Sequence, residues 1–285
     1  MMNQHIDLTK PEEKPDVPII ELKDAKVIFT TRAGSGLFRK NRITAVNDVN
    51  LKLMPGKTIG IVGESGCGKS TTANVMCGLQ SLTSGKVLFK GQDVTHRTAK
   101  ERMEIGRVVS VVFQDPATAL NARMSVIDQL IDPLAVHHLG SKAERDKRAH
   151  ELIRMVGLPF SVLGALPGQL SGGQRQRVAI ARALSLNPDA IIADEPTSAL
   201  DVSVRAQILN LLSDLKRQLG LSMVFISHDI QTIRYISDDV IVMNHGTIVE
   251  RGTTDQVMRH PTNDYTKTLM AAAPSLLHPT AEERA

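Results

Sequence analysis

Residues 59–71 run Ile59-Gly60-Ile61-Val62-Gly63-Glu64-Ser65-Gly66-Cys67-Gly68-Lys69-Ser70-Thr71, an apolar stretch followed by a glycine-rich one. The apolar run predicts a buried parallel strand, and the spacing over residues 70–79 predicts a helix. The segment between them has the spacing G-x-x-x-x-G-K-S/T without a departure. Its glycines allow consecutive backbone N–H groups to turn inward at the positive end of a helix, which creates an anion site. We therefore predict that this loop holds the phosphates of a nucleotide.

Two side chains of the loop have predicted chemical roles. Lys69 is expected to reach the β- and γ-phosphates, and the Ser70 hydroxyl is expected to ligate Mg²⁺. The residues predicted to contact nucleotide here are Gly63, Glu64, Ser65, Gly66, Cys67, Gly68, Lys69, Ser70 and Thr71. The alternative is a chance glycine-rich turn, and the strand and helix in register on either side argue against it.

Composition is ordinary for a globular protein. The chain has 285 residues, of which 42% are hydrophobic and 22% charged, so it can bury a large core. It contains no run of 18 or more apolar residues, and we expect no membrane-spanning helix. A net charge of +4 is compatible with an anionic membrane surface or nucleic acid and proves neither. Residues 1–18 are polar and lack the apolar core of a signal peptide, so a disordered leader and a cytoplasmic location are expected.

Strand and helix patterns divide the chain into three parts. Early strands at 19–29, 46–53 and 86–89 predict an antiparallel lobe. Residues 125–156 have helical periodicity and predict a helical insertion. Elsewhere strands and helices alternate, which predicts a mostly parallel sheet flanked by helices. The predicted strands of that sheet are 59–62, 108–113, 190–193 and 223–226, its helices are 171–185 and 202–219, and a hairpin is predicted at 239–250.

Two adjacent carboxylates, Asp194 and Glu195, follow the predicted strand at 190–193. In sheets of this kind a strand delivers its carboxyl end beside the phosphate loop. Asp194 is then expected to bind Mg²⁺ through water, and Glu195 to orient the attacking water or accept its proton. Because neighbouring strand residues face opposite ways, the two side chains are not expected to address the metal together. Alone, such a pair is usually a solvated strand end, and the intact phosphate loop favours the catalytic interpretation.

Two more polar residues follow predicted strands. His228 is placed where it can contact the γ-phosphate and sense its loss, and the alternative is a surface or capping histidine. Gln114 begins the helical insertion, and its amide can touch metal or water when ATP is bound and release it afterwards. The alternative is a loop glutamine.

A second anion site is predicted at Ser171-Gly172-Gly173-Gln174, which follows Leu170 and starts a basic helix. Ser171 is a good N-cap residue, and the two glycines leave first-turn N–H groups uncovered. Since Lys69 already serves one phosphate site, this second one suits the nucleotide of a partner subunit. Arg175 and Arg177 are expected to be solvated or paired along the helix.

Taken together, these segments resemble the ATP-binding cassette (ABC) ATPases. The shared motifs, in order, are the phosphate loop, Gln114, Leu170-Ser171-Gly172-Gly173-Gln174, Asp194-Glu195, Ser198-Ala199-Leu200-Asp201 and His228. The resemblance covers residues 19–252. It implies an α/β P-loop NTPase with a RecA-like core of mostly parallel sheet, an antiparallel β lobe, and a helical lobe at about 117–166.

The resemblance also implies a head-to-tail pair of subunits with two ATP molecules between them. Ser171 and Gly173 would then contact the nucleotide of the other subunit, with Gly172 and Gln174 in the same motif, and Asp201 would lie across the interface. Such cassettes stack an aromatic ring on adenine ahead of the phosphate loop. Phe29 and Phe38 are available there, and Phe38 is favoured.

Other segments resemble the dipeptide, oligopeptide and nickel importer ATPases more closely. They are Gly63-Glu64-Ser65-Gly66-Cys67-Gly68, Phe113-Gln114-Asp115-Pro116, Ala199-Leu200-Asp201-Val202-Ser203-Val204 and His260-Pro261-Thr262-Asn263-Asp264-Tyr265-Thr266. Residues 253–285 correspond to the C-terminal extension of that subfamily, with a disordered end. Because no cysteine follows Cys77, the iron–sulfur centre of longer members is not expected.

This resemblance implies an ATPase subunit that energises uptake of di- or oligopeptides at the cytoplasmic face of the cell membrane, with ATP and Mg²⁺ as cofactors. Implied partners are a second cassette subunit, identical or related, two integral membrane permeases and an extracytoplasmic solute-binding protein; nucleic acid is not expected. The implied catalytic residues are Glu195, His228 and Gln114, and the implied metal site comprises Ser70, Gln114 and Asp194. Import of nickel or another small solute remains an alternative. A less favoured one is a soluble cassette ATPase acting on nucleic acid or ribosomes, since such proteins usually carry two cassettes, coiled-coil insertions or zinc cysteines.

Overall fold

The computed structural model describes residues 16–32, 40–96 and 98–272. Within these ranges the strands are β1 (Ile20–Arg32), β2 (Lys40–Leu53), β3 (Thr58–Val62), β4 (Ser84–Phe89), β5 (Gln92–Asp93), β6 (Val109–Val112), β7 (Ala190–Asp194), β8 (Ser222–Ile226), β9 (Asp239–Asn244) and β10 (Thr247–Thr253). The helices are α1 (Lys69–Met76), α2 (Ala99–Val108), α3 (Pro116–Ala119), α4 (Val126–Val136), α5 (Lys142–Met155), α6 (Gly172–Ala183), α7 (Val202–Leu219), α8 (Ile230–Ile236), α9 (Thr254–Arg259) and α10 (Asp264–Ala271). Short 3-10 turns occupy Phe160–Gly164 and Pro167–Gln169. None of the helices in these ranges combines the length and apolar character that a membrane span requires.

The first sheet is antiparallel, with strand order β2-β1-β4-β5. Both β1 and β2 extend further than the sequence predicts, and register shifts interrupt their pairing between Leu22 and Ile28. Such irregularities break the alternation of apolar and polar residues, which is why a pattern of period two underestimates these strands.

The second sheet has the order β10-β9-β3-β8-β7-β6, and the pairs from β9 to β6 are parallel. Its central strands are buried on both faces: Ile191 and Ala193 pack into one core cluster, while Ala190 and Ile192 pack into the other. The β9–β10 hairpin turns at His245 and Gly246, both with positive φ, as two-residue hairpins favour. The predicted strands and hairpin of this sheet are therefore confirmed.

Helix α8 packs closely on the strand that precedes the phosphate loop. A Cβ atom at Gly60 would lie 2.5 Å from both Ile233 Cγ2 and Ser237 Oγ, so glycine is required at that contact. Helices α2, α8, α9 and α10, which have six to ten residues each, were not predicted.

The helical insertion consists of two main helices, α4 and α5, within residues 125–156, where helical periodicity was predicted. The helix α4 ends at Val136, and left-handed residues His138 and Gly140 separate it from α5. The side chains of Ser125 and Ser141 cap the two helices by accepting from the N–H of Asp128 and Glu144.

Arginines of α6 donate to backbone carbonyls, whereas Arg175 and Arg177 were expected to be solvated or paired along the helix, and two of these bonds join α6 to the helical insertion. Arg177 Nη1 donates to the Val156 carbonyl at 2.7 Å, and Arg175 Nε donates to the Leu170 carbonyl at 3.1 Å. Arg182 Nη1 donates to the Ala119 carbonyl at 2.7 Å. Carbonyls at helix ends lack intrahelical partners, and guanidinium groups can supply the missing donors.

Candidate nucleotide-binding site

A cavity of about 410 Å³ lies at the carboxyl ends of the parallel strands. Its lining brings together Ala45, Ser65, Gly66, Gly68, Lys69, Ser70, Thr71, Gln114, Glu195 and His228. These residues come from five separate segments of the chain, four of which the sequence analysis singled out. Gly63, Glu64 and Cys67 belong to the same loop but do not line the cavity.

The glycines of the loop have conformations that other residues adopt with difficulty. Gly68, immediately before α1, has φ of 106°, and a Cβ atom there would lie 2.2 Å from the Ala45 carbonyl oxygen. Gly63 has φ of 150°, and its Cβ would lie 2.2 Å from the Met243 carbonyl oxygen. The loop is thus pressed between β2 and β9, which fixes the N-terminus of α1 against the cavity.

The Lys69 ammonium lies within the loop. The residue is 6% exposed, and Nζ donates to the carbonyl oxygens of Gly63 and Glu64, each at 2.8 Å. A buried cation beside free helix-terminal N–H groups gives the cavity a positive potential, which suits polyphosphate.

Asp194 ends β7 beside Ser70, with which it forms a hydrogen bond. Burial and the neighbouring Glu195 charge raise the pKa of the Asp194 carboxyl, although the Ser70 hydrogen bond and Lys69 oppose the rise. Its buried Oδ1 has no hydrogen-bond partner among the described residues. An uncompensated carboxylate oxygen next to a hydroxyl is the oxygen donor set that Mg²⁺ prefers, so these residues fit the ion.

Protein side chains alone would not complete such a site. Within the described ranges, no group of three or more His, Cys, Asp or Glu side chains is placed to hold a metal. Magnesium commonly keeps several waters and shares substrate phosphates, so one carboxylate and one hydroxyl suffice for it.

Glu195 lies just beyond β7 and has a left-handed backbone with φ of 47°. Its N–H donates to the Ile226 carbonyl oxygen at 2.9 Å, which holds this conformation in place. The chain thus leaves the strand conformation at Glu195, one residue after Asp194. The alternation of side chains along a continuous strand, on which the separate roles of the two carboxylates were predicted, does not extend to this pair.

The Glu195 carboxylate contacts the two other polar residues predicted to follow strands, His228 and Gln114. Its Oε2 lies 3.2 Å from His228 Nδ1 and 3.5 Å from Gln114 Nε2. The structure thus brings two predicted residues, Gln114 after β6 and His228 after β8, to the carboxylate of a third, Glu195 after β7.

The predicted second anion site lies elsewhere on the surface. Ser171 caps α6 by accepting from the Gln174 N–H, and the Gln174 side chain accepts in return from the Ser171 N–H. A Cβ atom at Gly173 would lie 2.7 Å from Val204 Cγ1 on α7. Asp201 caps α7 through the Val204 N–H at 2.9 Å. The starts of α6 and α7 are therefore adjacent, and neither Ser171–Gln174 nor Asp201 lines the cavity.

For the adenine ring, Phe38 lies outside the described residues. Phe29, the other aromatic considered, is on β1 opposite Ile43, and both side chains are exposed. Sequence reasoning missed Ala45, whose carbonyl contacts the loop, and Tyr265, whose hydroxyl accepts from the Glu64 N–H at 3.1 Å. Both contacts join segments far apart in the chain, so no local spacing indicates them.

Comparison with known proteins gives consistent matches. The profile of the family described as ABC transporter matches residues 46–198. The oligopeptide transport ATP-binding protein OppF of Lactococcus lactis subsp. lactis (strain IL1403) is 42% identical over 260 residues, which cover 90% of this chain and 81% of that protein. The dipeptide transport ATP-binding protein DppF of Escherichia coli (strain K12) is 42% identical over 260 residues, covering 91% and 77%.

Solved structures agree with these relatives. The dimeric ATP-binding cassette MJ0796, in a post-hydrolysis state bound to ADP and Pi, superposes with a TM-score of 0.72 at 34% identity, covering 82% of this chain and 98% of that chain. The structure of cbiO1 from Clostridium perfringens, part of the ABC transporter complex cbiONQ, has a TM-score of 0.73 at 27% identity, covering 86% and 92%. The predicted α/β cassette fold is confirmed by these matches.

Proposed function

Because this chain belongs to the ABC transporter family, as an ATP-binding ATPase subunit, we propose that it hydrolyses MgATP to energise uptake of di- or oligopeptides. The resemblance stated from the sequence is thereby confirmed at the level of the family. The substrate class is proposed from the relatives, which are named as oligopeptide and dipeptide transport proteins.

The observation that carries the proposal is the convergence of three chemical functions on one cavity. The loop at 63–71 offers a helix terminus and Lys69 for phosphate, and Glu195 offers a base. Ser70 lines the cavity and offers one oxygen ligand; Asp194, which does not line the cavity itself, is hydrogen-bonded to Ser70 and offers a second. Phosphoryl transfer requires mainly positioning and charge stabilisation, and these residues supply both.

Each residue then has a defined role in the proposed reaction. Lys69 exchanges its bonds to the Gly63 and Glu64 carbonyls for bonds to the β- and γ-phosphates. Ser70 and Asp194 would hold Mg²⁺, which would supply charge neutralisation at the phosphate oxygens. Glu195 orients the attacking water and accepts its proton, since its carboxylate faces the same cavity. His228 and Gln114 hold this carboxylate and are within reach of the γ-phosphate.

A second copy, or a related cassette, completes the site in the proposal. Ser171 and Gly173 present the start of α6, and Asp201 presents the adjacent start of α7, so both can meet one nucleotide bound by the partner. Phe38 is proposed to stack on adenine. The dimeric arrangement of the cassette MJ0796 supports this pairing.

A surface for the membrane permeases is proposed between the core and the helical lobe. A groove of about 360 Å³ lies there, lined by residues of α4, α6 and the end of β6. Leu79, Phe113 and Val136 expose apolar side chains at it. Phe113 precedes Gln114, so a change at the cavity can reach this groove through one peptide bond. Two permeases and an external binding protein would place this chain at the cytoplasmic face of the membrane.

Affinity purification of the full-length chain from detergent-solubilised membranes tests the proposal. We expect two apolar permeases and a second cassette ATPase to copurify, together with a solute-binding protein whose ligand is a peptide. Nickel in place of a peptide would correct the substrate class. Ribosomal or nucleic-acid partners without permeases would contradict transport.

A further inference from the structure

The C-terminal segment, residues 253–272, is held on the sheet partly through one carboxylate, that of Glu250. Glu250 on β10 accepts hydrogen bonds from the Thr262 N–H at 2.7 Å, the Thr262 hydroxyl at 2.9 Å and the Asn263 N–H at 3.2 Å. Burial opposes ionisation of Glu250, but these donors lower the pKa of its carboxyl below the ordinary value. The Asn263 side chain then caps α10 by accepting from the Tyr265 N–H at 2.9 Å. The first turn of α10 therefore has a fixed position on the sheet.

From that position Tyr265 reaches the phosphate loop. Its hydroxyl accepts a hydrogen bond from the Glu64 N–H at 3.1 Å, across 201 residues of sequence. The Glu64 carbonyl of the same residue accepts from Lys69 Nζ at 2.8 Å. Both backbone groups of Glu64 thus have partners, one from the C-terminal segment and one from the loop's lysine.

The geometry leaves the phosphate-facing side of the loop free. The cavity is lined from Ser65 onward, and Glu64 is not part of its lining. Tyr265 therefore satisfies an amide that points away from the cavity and competes with no phosphate. On the same outer side, the Gly246 N–H donates to the Cys67 carbonyl at 2.9 Å.

We infer that Tyr265 is a positioning residue for nucleotide binding, through which the C-terminal segment preorganises the phosphate loop. The inference rests on the proposed function, because it presupposes that ATP binds at this loop. A loop held in its binding conformation loses less conformational entropy when the ligand arrives, so its affinity is higher. Because the Tyr265–Glu64 hydrogen bond is solvent-accessible, water can replace it, and its loss should change affinity more than stability.

The chain offers a matched pair of variants for the test, since it contains two tyrosines. Tyr265→Phe removes the hydroxyl at the loop. Tyr235→Phe removes a comparable bond, from the Tyr235 hydroxyl to Asn210 Oδ1 at 2.6 Å, on the exposed face of α8. Calorimetric titration of the full-length variants with ATP and Mg²⁺, together with steady-state hydrolysis, compares them.

For Tyr265→Phe we expect the ATP dissociation constant and KM to rise about three- to tenfold, the range of one neutral hydrogen bond, while kcat stays within about twofold. Tyr235→Phe should match the wild type, and the two variants should unfold at similar temperatures without nucleotide. Unchanged affinity in Tyr265→Phe, or a fall in kcat alone, would overturn the inference. Failure of the wild type to bind ATP would instead contradict the proposed function.

A second variant tests whether the C-terminal segment acts through Tyr265. Glu250→Gln keeps the shape of the side chain but removes the charge that its three donors contact. It should raise the ATP dissociation constant in the wild-type background and leave it unchanged in the Tyr265→Phe background. Equal effects in both backgrounds would show that Glu250 acts independently of Tyr265 and would refute this route.

Discussion

At the scale of single residues, Glu195 has a strained backbone conformation that several contacts hold in place. Its positive φ is rare outside glycine and costs on the order of 1–3 kcal/mol, a cost that surrounding structure must hold. The bond from its N–H to the Ile226 carbonyl and the contacts of its carboxylate with His228 and Gln114 supply that support. A strained residue held from both neighbouring strands is suited to a catalytic position.

Replacing Glu195 by Gln tests its role as the base. The variant keeps its size and hydrogen-bonding shape but has no basic carboxylate, so we expect ATP binding to persist while hydrolysis falls about 100-fold or more. Nucleotide titration, phosphate release and size-exclusion chromatography with MgATP measure binding, turnover and a stalled closed dimer. The control is Glu104→Gln, at an exposed position of α2. Near-normal turnover by Glu195→Gln would refute the assigned role.

Lys69→Ala tests the phosphate loop. This variant should lose nucleotide affinity in the same titration, and unchanged ATP binding would count against the assignment of the loop.

Replacing Asp194 should increase the stability of the folded protein while abolishing its activity. Since burial and Glu195 raise its pKa in the folded protein, the ionised form is disfavoured by folding, and this cost is present at pH values above the raised pKa. Asp194→Asn should therefore stabilise the nucleotide-free protein at neutral pH by ~1 kcal/mol, or about 2–4 °C in Tm, and the gain should shrink as pH falls. The same variant should lose Mg²⁺-dependent hydrolysis.

Thermal unfolding in a chelating buffer, at neutral and mildly acidic pH, measures the effect. An unfolding temperature equal to or below that of the wild type would show that Asp194 is not a destabilising carboxylate. Retained Mg²⁺-dependent turnover would remove it from the metal site.

At the level of elements, Asp238, the residue immediately before β9, links β9 to the strand β3 and the helix α7. Its Oδ2 accepts from the Thr58 N–H at the start of β3 and from Lys216 Nζ on α7, each at 2.6 Å. Burial raises the pKa of this carboxyl, but Lys216 and the Thr58 amide outweigh it and lower the pKa overall. The carboxylate thus stabilises the fold above the unfolded pKa, near 3.9, and the contribution disappears as pH falls through the lower folded value.

Asp238→Asn should cost ~1 kcal/mol at pH 7, a figure reduced for the partial exposure of the side chain. The deficit relative to wild type should narrow in urea unfolding as pH falls below about 4. Asp255→Asn, in the exposed pair with Arg259 on α9, is the control and should change stability by less than about 0.5 kcal/mol. A deficit that stays constant with pH would show that charge is not the cause.

Some elements of the fold could be predicted from the sequence, and others could not because they depend on contacts with distant segments. The phosphate loop was predictable because its glycines and Lys69 act within one turn of chain. The parallel strands were predictable because burial on both faces requires uninterrupted apolar residues. Short helices such as α8 depend on contacts with distant strands, and the Tyr265–Glu64 bond depends on the finished sheet. The left-handed turn at Glu195 is equally a product of the neighbouring strand β8.

At the scale of the whole molecule, one of the contacts between the two sheets is an ion pair between a partly exposed lysine and a buried carboxylate. Lys90, in the turn between β4 and β5, lies 2.7 Å through Nζ from Oδ2 of Asp189, whose side chain is 8% exposed. Asp189 precedes β7, so the pair connects the antiparallel lobe to the strand that carries Asp194.

Lys90→Met should destabilise the protein by about 2–4 kcal/mol, because it leaves the Asp189 carboxylate buried without its cation. Lys86→Met is a matched control in the same lobe, since Lys86 pairs at 3.4 Å with the exposed Asp93, and it should cost less than about 1 kcal/mol. Chemical denaturation of both variants measures the difference. Equal losses would mean that the Lys90 pair contributes no more than a surface contact.

The position of β3 between β8 and β9 has a consequence for synthesis of the chain on the ribosome. The strand that precedes the phosphate loop ends at Val62, and the first residue of β8 follows about 160 residues later. At roughly 5–20 residues per second, β3 waits roughly 8–30 seconds for its first hydrogen-bonding neighbour. During that interval an apolar strand and its loop have no sheet to join, so the nascent chain depends on chaperones or on the early antiparallel lobe for protection.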